Sequence, residues 1–225
     1  MKEGPLLLPE IHGVPEIVTY TWLAMAILLG LALVARASLK KTAPTGIQNV
    51  FEVIFGGLDD YIEEIMGPEG KHYFFLIGSL FLFILVSNLQ GLVPGLESPT
   101  ANINTTAALA ITVFSATHII GISKHGLSYF KHFMGPMPLL APLMVPLELI
   151  SHLARPVSLA FRLFGNMLAK HKLLVALLSL SPFVPVFLVL GLGVFVAFVQ
   201  AGVFTLLTML YLAGALEEAH GSEHH

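Results

Sequence analysis

Long apolar runs constrain this chain more than any other feature. They cover approximately residues 18–36, 72–93, 103–122, 138–181 and 183–216. A helix of about 20 mostly apolar residues is long enough to span the ~30 Å hydrocarbon core of a bilayer. Only 11% of the 225 residues are charged, whereas roughly a quarter are charged in a soluble domain. We therefore predict an all-α polytopic membrane protein, a single membrane domain over residues 1–225 with five crossings.

Residues 46–66 form a different pattern, because their apolar side chains recur at helical spacing and leave one polar face. That face is acidic and carries Glu52, Asp59, Asp60, Glu63 and Glu64. A helix that binds anionic lipid is normally basic. We therefore expect an interfacial amphipathic helix that meets a protein partner on the inner side. The alternative is a plain surface helix.

Basic residues in the connecting segments set the predicted orientation, since cytoplasmic loops carry an excess of Lys and Arg. With five crossings, only Lys2 falls on one side. The other side receives Arg36, Lys40, Lys41, Lys71, Lys124 and Lys131. This distribution predicts that the N-terminus is outside the membrane and that the C-terminus is cytoplasmic.

The last two apolar runs are too long for ordinary crossings. Residues 138–181 and 183–216 amount to about 44 and 34 residues, or ~65 and ~50 Å of helix against a core of ~30 Å. Either each run is broken, or both helices are steeply inclined in the membrane. Residues 157–181 contain no stretch polar enough for a lipid-exposed turn, which favours inclination.

Several function classes are disfavoured by composition. The chain has no cysteine, which excludes disulfides, thiolate metal sites and a Cys nucleophile. It has no HExxH pair, as an intramembrane metalloprotease requires, and its net charge of −3 argues against nucleic acid. The tail "HGSEHH" is better explained as a solvated segment than as a ligand set, so we predict neither metal nor cofactor. A secondary transporter is the alternative function, although the internal repeats of such proteins are not detected.

Polar side chains form a stripe on the helix expected over residues 138–181. At about 100° per residue, six of them lie within about 40° of Arg162 or at it, namely Glu148, Ser151, Arg155, Ser158, Arg162 and Asn166. A charge at the bilayer centre costs ~2.5–3.5 kcal/mol on insertion scales. Arg162 has about 20 helical residues on either side, which is too deep for it to reach the headgroups. Such a residue usually faces a protein interior or a watery pathway.

Arg162 is a fixed positive charge, because a guanidinium does not lose its proton in proteins. Its natural partner is a carboxylate, and no other acidic residue of the chain is expected at this depth. Glu148 lies on the same helix, ~21 Å away. The missing carboxylate must therefore come from another subunit. An arginine that faces a mobile carboxylate favours its deprotonated form, so the pattern indicates a device for forcing proton release.

The sequence "RPVSLAFRLFGNMLAKH", followed by "FVQAGVFTLLTMLYLAGALEEAH", closely resembles subunit a of bacterial F-type ATP synthases. Further matches are "LVSNLQGLVPG", "SPTANINTT" and "PLELISHLARP", and the resemblance covers about residues 18–220. It implies a proton path of two offset half-channels beside a rotating ring of c subunits, which carry the missing carboxylate. It also implies peripheral-stalk b subunits, an indirect link to the F1 sector and a bacterial inner membrane. The chain would not be an enzyme by itself.

The resemblance also implies roles for individual residues. Arg162 matches the arginine that separates the half-channels, and Asn166 and Gln200 match polar residues near it. Ser158 lies on the same stripe. Two further residues match the cytoplasmic outlet path, Glu148 and Ser151. The outer inlet path is matched by His171 at a titratable position and by the amides of Asn88, Asn102 and Asn104.

Some positions depart from the family pattern. Gly193 stands where many relatives have a titratable residue, and Lys170 stands where a small residue is common. Gly91 and Asn102 stand where several members have an acid. A lysine stem is long enough to fill the space that a glycine leaves. We therefore expect Lys170 to reach over Gly193 and to form, with His171, the gate of the inlet. The alternative is that Lys170 and Lys172 extend to the outer headgroups.

Overall fold

The computed structural model describes residues 15–38, 47–93, 95–126, 141–180 and 184–217, and all of its regular structure in these ranges is helical. The α-helices are α1 (Glu16–Ser38), α2 (Ile47–Met66), α3 (Phe74–Gln90), α4 (Ile103–His125), α5 (Ala141–Leu180) and α6 (Val184–Glu217). Short 3-10 helices at Pro68–Tyr73 and Pro99–Ala101 precede α3 and α4. The predicted all-helical class is confirmed. Three of the lysines used to predict the orientation lie outside the described residues, namely Lys40, Lys41 and Lys131. The His-rich tail, for which we predict no metal, also lies outside them.

Four stretches in the described part are long and apolar enough to cross a membrane. They are Glu16–Arg36, Pro68–Gln90, Ile103–Lys124 and Leu190–Leu216. The helix α5 is not among them, since charged and polar side chains interrupt its apolar sequence. These stretches support a polytopic membrane protein. The fifth crossing and the placement of each helix in the bilayer stay predictions.

The two long C-terminal helices are continuous. α5 has 40 residues and contains Pro146 and Pro156 without a break in the helix. α6 has 34 residues. At ~1.5 Å per residue these helices extend ~60 and ~51 Å. Of the two explanations for the long apolar runs, the described residues 141–180 and 184–217 thus favour unbroken helices.

The main hydrophobic core lies where α3, α4, α5 and α6 meet. It contains Ile84 of α3, Val113 of α4, Leu163 of α5 and Phe204 of α6, each with at most 1% of its surface exposed. The buried face of α5 also includes Leu159 and Met167. Since this face is anchored in the core, the polar stripe of α5 is held on the adjoining surface of the helix.

The helix α2 has the amphipathic character that its sequence predicts. Leu58, Ile62 and Met66 are buried against Ile77 of α3 and against the C-terminal part of α6. On the acidic face, Lys71 forms ion pairs with Glu63 (2.8 Å) and Asp59 (3.8 Å). The other acidic residues predicted for this face, Glu52, Asp60 and Glu64, are exposed. An interfacial position and a protein partner for α2 stay predictions.

Candidate functional site

Arg162 lies near the middle of α5 and is exposed on the surface of the chain, as are Ser158 and Asn166 one turn away on either side. The ion pairs found among the described residues involve Lys71 and Lys124, and none involves Arg162. The chain also exposes large apolar side chains, among them Phe161, which precedes Arg162, and Phe195 of α6, at 60% and 65%. A charged residue at this depth of a membrane helix usually faces a protein interior or a watery pathway.

Asn166 and Gln200 connect the polar stripe to α6. The side-chain amide Nδ2 of Asn166 donates a hydrogen bond to Oε1 of Gln200. Gln200 is buried, whereas Asn166 is exposed. Two of the residues predicted to lie near Arg162 are therefore in direct contact, one on each of the long helices.

The N-terminal half of α5 holds the rest of the stripe. Ser151 and Arg155 are half-buried there, and the Arg155 guanidinium carbon lies 5.4 Å from the centroid of the Tyr211 ring of α6. This distance is within the range of a cation–π interaction. The backbone of Glu148 belongs to α5, while its side chain lies outside the described residues.

A second polar cluster lies at the C-terminal end of α3, beside the C-terminal half of α5. Thr100 Oγ1 donates to Asn88 Oδ1 over 2.7 Å. The Ser98 hydroxyl lies 2.7 Å from Thr100 Oγ1 and donates to the Ser87 carbonyl over 2.7 Å. Lys170 Nζ donates to the carbonyl oxygen of Asn88 over 3.2 Å. Three segments of the chain therefore converge here, although Lys170 is 82 residues from Asn88.

Gly193 of α6 lies next to the stem of Lys170. A Cβ atom added at Gly193 would overlap the Leu92 side chain and would lie 3.6 Å from Cδ of Lys170. The lysine stem thus lies beside the glycine, and the gate expected from these residues stays a prediction. The side chain of His171, the other residue expected here, lies outside the described residues.

The other two asparagines predicted for this region, Asn102 and Asn104, form a capping bond at the start of α4. Asn102 is the N-cap of α4, and its Oδ1 accepts a hydrogen bond from the backbone N–H of Asn104 over 2.9 Å. Such a bond satisfies one of the amide groups left free at the start of a helix. Asn104 itself is exposed. Only Asn88 of the three predicted asparagines is in contact with Lys170 in the described part of the chain.

Several buried polar atoms near this cluster have no hydrogen-bond partner among the described residues. They are Ser87 Oγ, Asn88 Nδ2, Gln90 Oε1 and Gln200 Nε2. Buried polar groups in proteins are nearly always satisfied, by protein or by ordered water. Three of the four atoms belong to the last turn of α3, and the fourth belongs to the residue that contacts Asn166. Water is therefore the natural partner along this side of α3 and α6.

Comparison with known proteins identifies the family. Residues 18–213 match the family described as ATP synthase A chain. The chain belongs to this family. ATP synthase subunit a of Geobacter sulfurreducens is 53% identical over 205 residues, which cover 91% of this chain and 89% of that protein. ATP synthase subunit a 3 of Pelobacter propionicus is 50% identical over 217 residues, or 96% and 93% of the two chains.

Membership of the ATP synthase A chain family confirms the resemblance seen in the sequence. It also confirms the class of the molecule, a non-catalytic membrane subunit of an ATP synthase with a role in proton transport. Four residues of the two polar clusters were not singled out from the sequence, namely Ser87, Ser98, Thr100 and Tyr211. Ser98 and Thr100 belong to the quoted segment "SPTANINTT", and its hydroxyl groups were the available signal.

Proposed function

We propose that the chain is the proton-translocating stator subunit of the Fo sector, in which Arg162 faces the carboxylate of a rotating c ring and separates two offset half-channels. The observation that carries the proposal is the exposed, mid-helix position of Arg162 without an ionic partner in the described residues. A buried or lipid-facing guanidinium without a counter-charge is costly. A carboxylate on the neighbouring subunit removes this cost.

Arg162 performs two tasks in this mechanism. It stabilises the deprotonated carboxylate of a c subunit as that subunit passes, because opposite charges favour the ionised form. It also interrupts proton transfer between the half-channels, since a guanidinium is always protonated and cannot relay a proton. A proton must therefore bind to the ring on one side of Arg162 and leave it on the other, which couples proton flow to rotation.

The inlet half-channel lies on the side of Lys170, between the C-terminal end of α3 and the two long helices. The unsatisfied amides of Asn88 and Gln200 support a water-filled path there. Asn166 continues this path from Gln200 toward Arg162. Lys170, which lies over Gly193, forms the gate with His171. Asn102 and Asn104 line the outer mouth, where α4 begins.

The outlet half-channel lies on the opposite side of Arg162, along the N-terminal half of α5. The stripe there consists of Ser158, Ser151 and Glu148, of which Glu148 is the titratable member. A carboxylate at the end of a polar stripe can accept a proton and release it to water. The exposure of Ser158 on the same surface as Arg162 supports a path that begins at the ring.

The predicted partners follow from the exposed surfaces of the chain. The exposed apolar side chains of the two long helices, such as Phe161 and Phe195, suit a contact with the c ring. α1 exposes Leu29 and Leu33 at 66% and 65%, which suits lipid and the peripheral-stalk b subunits. Contact with F1 is indirect. We further propose five crossings of a bacterial inner membrane, with a periplasmic N-terminus, a cytoplasmic C-terminus, steeply inclined α5 and α6, and α2 at the inner interface.

The test is Arg162→Ala in the assembled ATP synthase. We expect proton-driven ATP synthesis to be abolished while the c ring and the other subunits still co-purify, since the side chain is exposed and its truncation leaves no cavity in the core. The measurement is ATP synthesis in membrane vesicles, with Ser115→Ala on the exposed face of α4 as control. Near-normal synthesis in the Arg162 variant would exclude the proposed role.

A further inference from the structure

The C-terminal end of α3 has an unusual set of partners. The last four carbonyl groups of an α-helix have no partner within the helix. In α3, the Leu89 and Gln90 carbonyls accept from the backbone N–H groups of Leu92 and Val93 over 3.0 and 3.1 Å. The Ser87 carbonyl accepts from the Ser98 hydroxyl, and the Asn88 carbonyl accepts from Lys170 Nζ. Each of the four terminal carbonyls is therefore satisfied, and one of them is satisfied by a cation.

We propose that the C-terminal end of α3 is a binding site for the ammonium group of Lys170, and that Ser98 and Thr100 are positioning residues of this site. The inference rests on the proposed role of Lys170 in the inlet half-channel. Beyond that role, the lysine has a counter-charge within its own chain, and two further residues set the position of that counter-charge. The counter-charge is the negative end of the α3 dipole, not a carboxylate.

No acidic side chain on the helices beside Lys170 competes for this role. α3 contains no titratable residue, and the titratable residues of α6 are Tyr211 and Glu217, both near its opposite end. On α5 itself, the neighbouring charged or titratable residues are Arg162, His171 and Lys172. Glu97 is the acidic residue of the loop after α3, and its backbone carbonyl accepts from Gln90 Nε2 over 3.1 Å. A helix C-terminus stabilises a cation mainly within its last turn, which is where Asn88 lies.

Ser98 and Thr100 fix the end of α3 from the side of the following loop. Both are buried, with 6% and 0% of their surface exposed. Thr100 donates to the side chain of Asn88, and Ser98 donates to the backbone carbonyl of Ser87. Together they immobilise the residue that accepts Lys170. Among the described residues the two hydroxyls bond to each other, to the Ser87 carbonyl and to Asn88 Oδ1, so their effect on Lys170 is one of position.

Two glycines make the arrangement possible. A Cβ added at Gly91 would lie 2.6 Å from Cβ of Ser98, so Ser98 approaches α3 at this point only because residue 91 has no side chain. Gly193 admits the Leu92 side chain, because a Cβ there would overlap Leu92 Cδ2, and the lysine stem packs beside it at an ordinary contact distance of 3.6 Å. The site thus includes two close approaches to glycine, one directly after α3 and one within α6.

The experiment measures ATP synthesis against external pH in the holoenzyme, with internal pH and membrane potential held constant. Thr100→Val removes the hydroxyl at nearly constant volume. Without a fixed acceptor the ammonium form is stabilised less, so we expect a loss of about threefold to tenfold on the alkaline side of the profile and little change at neutral pH. Thr100→Ser, which keeps the hydroxyl, restores the wild-type profile.

Matched control variants distinguish an effect on the position of Lys170 from a general loss of structure. Thr112→Val removes an exposed hydroxyl that bonds only to the Ala108 carbonyl of its own helix, and it leaves the profile unchanged. Gly91→Ala displaces Ser98 and reproduces the Thr100→Val profile. Gly78→Ala on the same helix meets only an ordinary contact of 3.5 Å with Leu58 and has no effect. Co-purification of the Fo subunits confirms assembly of each variant.

A second readout follows Lys170 directly. The reaction of its amine with an acylating reagent is measured against pH, by mass spectrometry of the peptide that contains it. Thr100→Val increases labelling of Lys170 at a given pH, because a free amine reacts and a held ammonium does not. Unchanged labelling in both Thr100→Val and Gly91→Ala overturns the proposed site, whatever happens to synthesis.

A double-mutant cycle with Lys170→Met completes the test. We expect Thr100→Val to add no further change to the pH profile once Lys170 is absent. An equal effect of Thr100→Val in both backgrounds overturns the positioning role. If labelling responds to Thr100→Val but Lys170→Met leaves the pH profile of synthesis unaltered, the ammonium site stands and the proposed gating role of Lys170 fails. The two ideas are therefore tested separately.

Discussion

Two cations of α5 lie eight residues apart, and the chain surrounds them in opposite ways. Arg162 is exposed and has no ionic partner in the described residues. Lys170 is half-buried, lies over Gly193 and donates to a carbonyl of α3. The difference indicates where each cation has its partner. Lys170 has a partner within its own chain, whereas the proposed function assigns the partner of Arg162 to another subunit.

The largest expected effect comes from changing the chemistry of the exposed cation while keeping its charge. Arg162→Lys replaces a planar fork with a shorter, more strongly hydrated point charge that can be neutralised when it is desolvated. Loss of charge-assisted hydrogen bonds worth ~1.5–3 kcal/mol corresponds to a decrease in ATP synthesis of roughly 10- to 100-fold. The measurement is ATP synthesis in vesicles with subunit content matched to the wild type. A lysine variant that retained half of the activity would show that charge alone suffices.

The partnered cation is expected to have a smaller and pH-dependent effect. Lys170→Ala removes the proposed gate, and we expect the largest loss of synthesis on the alkaline side, with less change near neutral pH. Gly193→His adds a side chain where the structure leaves space only for Leu92 and the lysine stem. It displaces Lys170 and alters the profile in the same direction. The measurement is ATP synthesis as a function of external pH.

The shape of the pH profile shows whether Lys170 is a gate of the inlet half-channel or a membrane anchor. If both variants merely scale the wild-type curve, or leave it unaltered, Lys170 is a membrane anchor and His171 is the remaining titratable residue of the inlet. Lys172→Ala is the matched control, because Lys172 is exposed two residues further along the same helix. A change of profile in Lys172→Ala equal to that in Lys170→Ala would also argue against a gate.

The sequence alone predicts much of the difference between the two cations. Helical periodicity places Arg162, Ser158 and Asn166 on one face of a helix, and the structure exposes all three together. Length predicts the two long helices, which are unbroken over Ala141–Leu180 and Val184–Glu217. These features depend on spacing within one segment, and spacing is what a sequence displays directly.

Contacts between distant segments were harder to predict. The Thr100–Asn88 bond joins a loop to the end of the preceding helix, and Lys170 joins a third helix to the same residue. No periodicity shows which helix ends meet, so Ser98 and Thr100 went unnoticed in the sequence. Asn102 shows the converse, since its capping bond to Asn104 is local. A short polar residue directly before an apolar helix predicts that bond.

Glu148 tests the outlet half-channel, on the side of Arg162 opposite to Lys170. Glu148→Gln removes the titratable group from the stripe while keeping its size, and we expect proton flux to slow by about threefold to tenfold, because Ser151 and water remain. The measurement is passive proton conductance of Fo in vesicles after removal of the soluble ATPase. Ser151→Ala is the control for loss of polarity without loss of a titratable group. Unchanged conductance in Glu148→Gln would assign the residue to structure.

The smallest expected effect concerns Arg155, another cation of α5, whose surroundings are intermediate between those of Arg162 and Lys170. It lies on the polar stripe but its guanidinium is 5.4 Å from the Tyr211 ring, so α6 holds it in part. Tyr211→Leu removes a cation–π interaction worth ~0.5–1 kcal/mol, which predicts a change in proton conductance of about twofold to fivefold. Tyr211→Phe keeps the ring and should conduct like the wild type. If both variants change conductance equally, the phenolic hydroxyl is the group that matters, and Arg155 is not positioned by the ring. If neither variant has an effect, Arg155 belongs with Arg162 among the cations whose partners lie outside the chain.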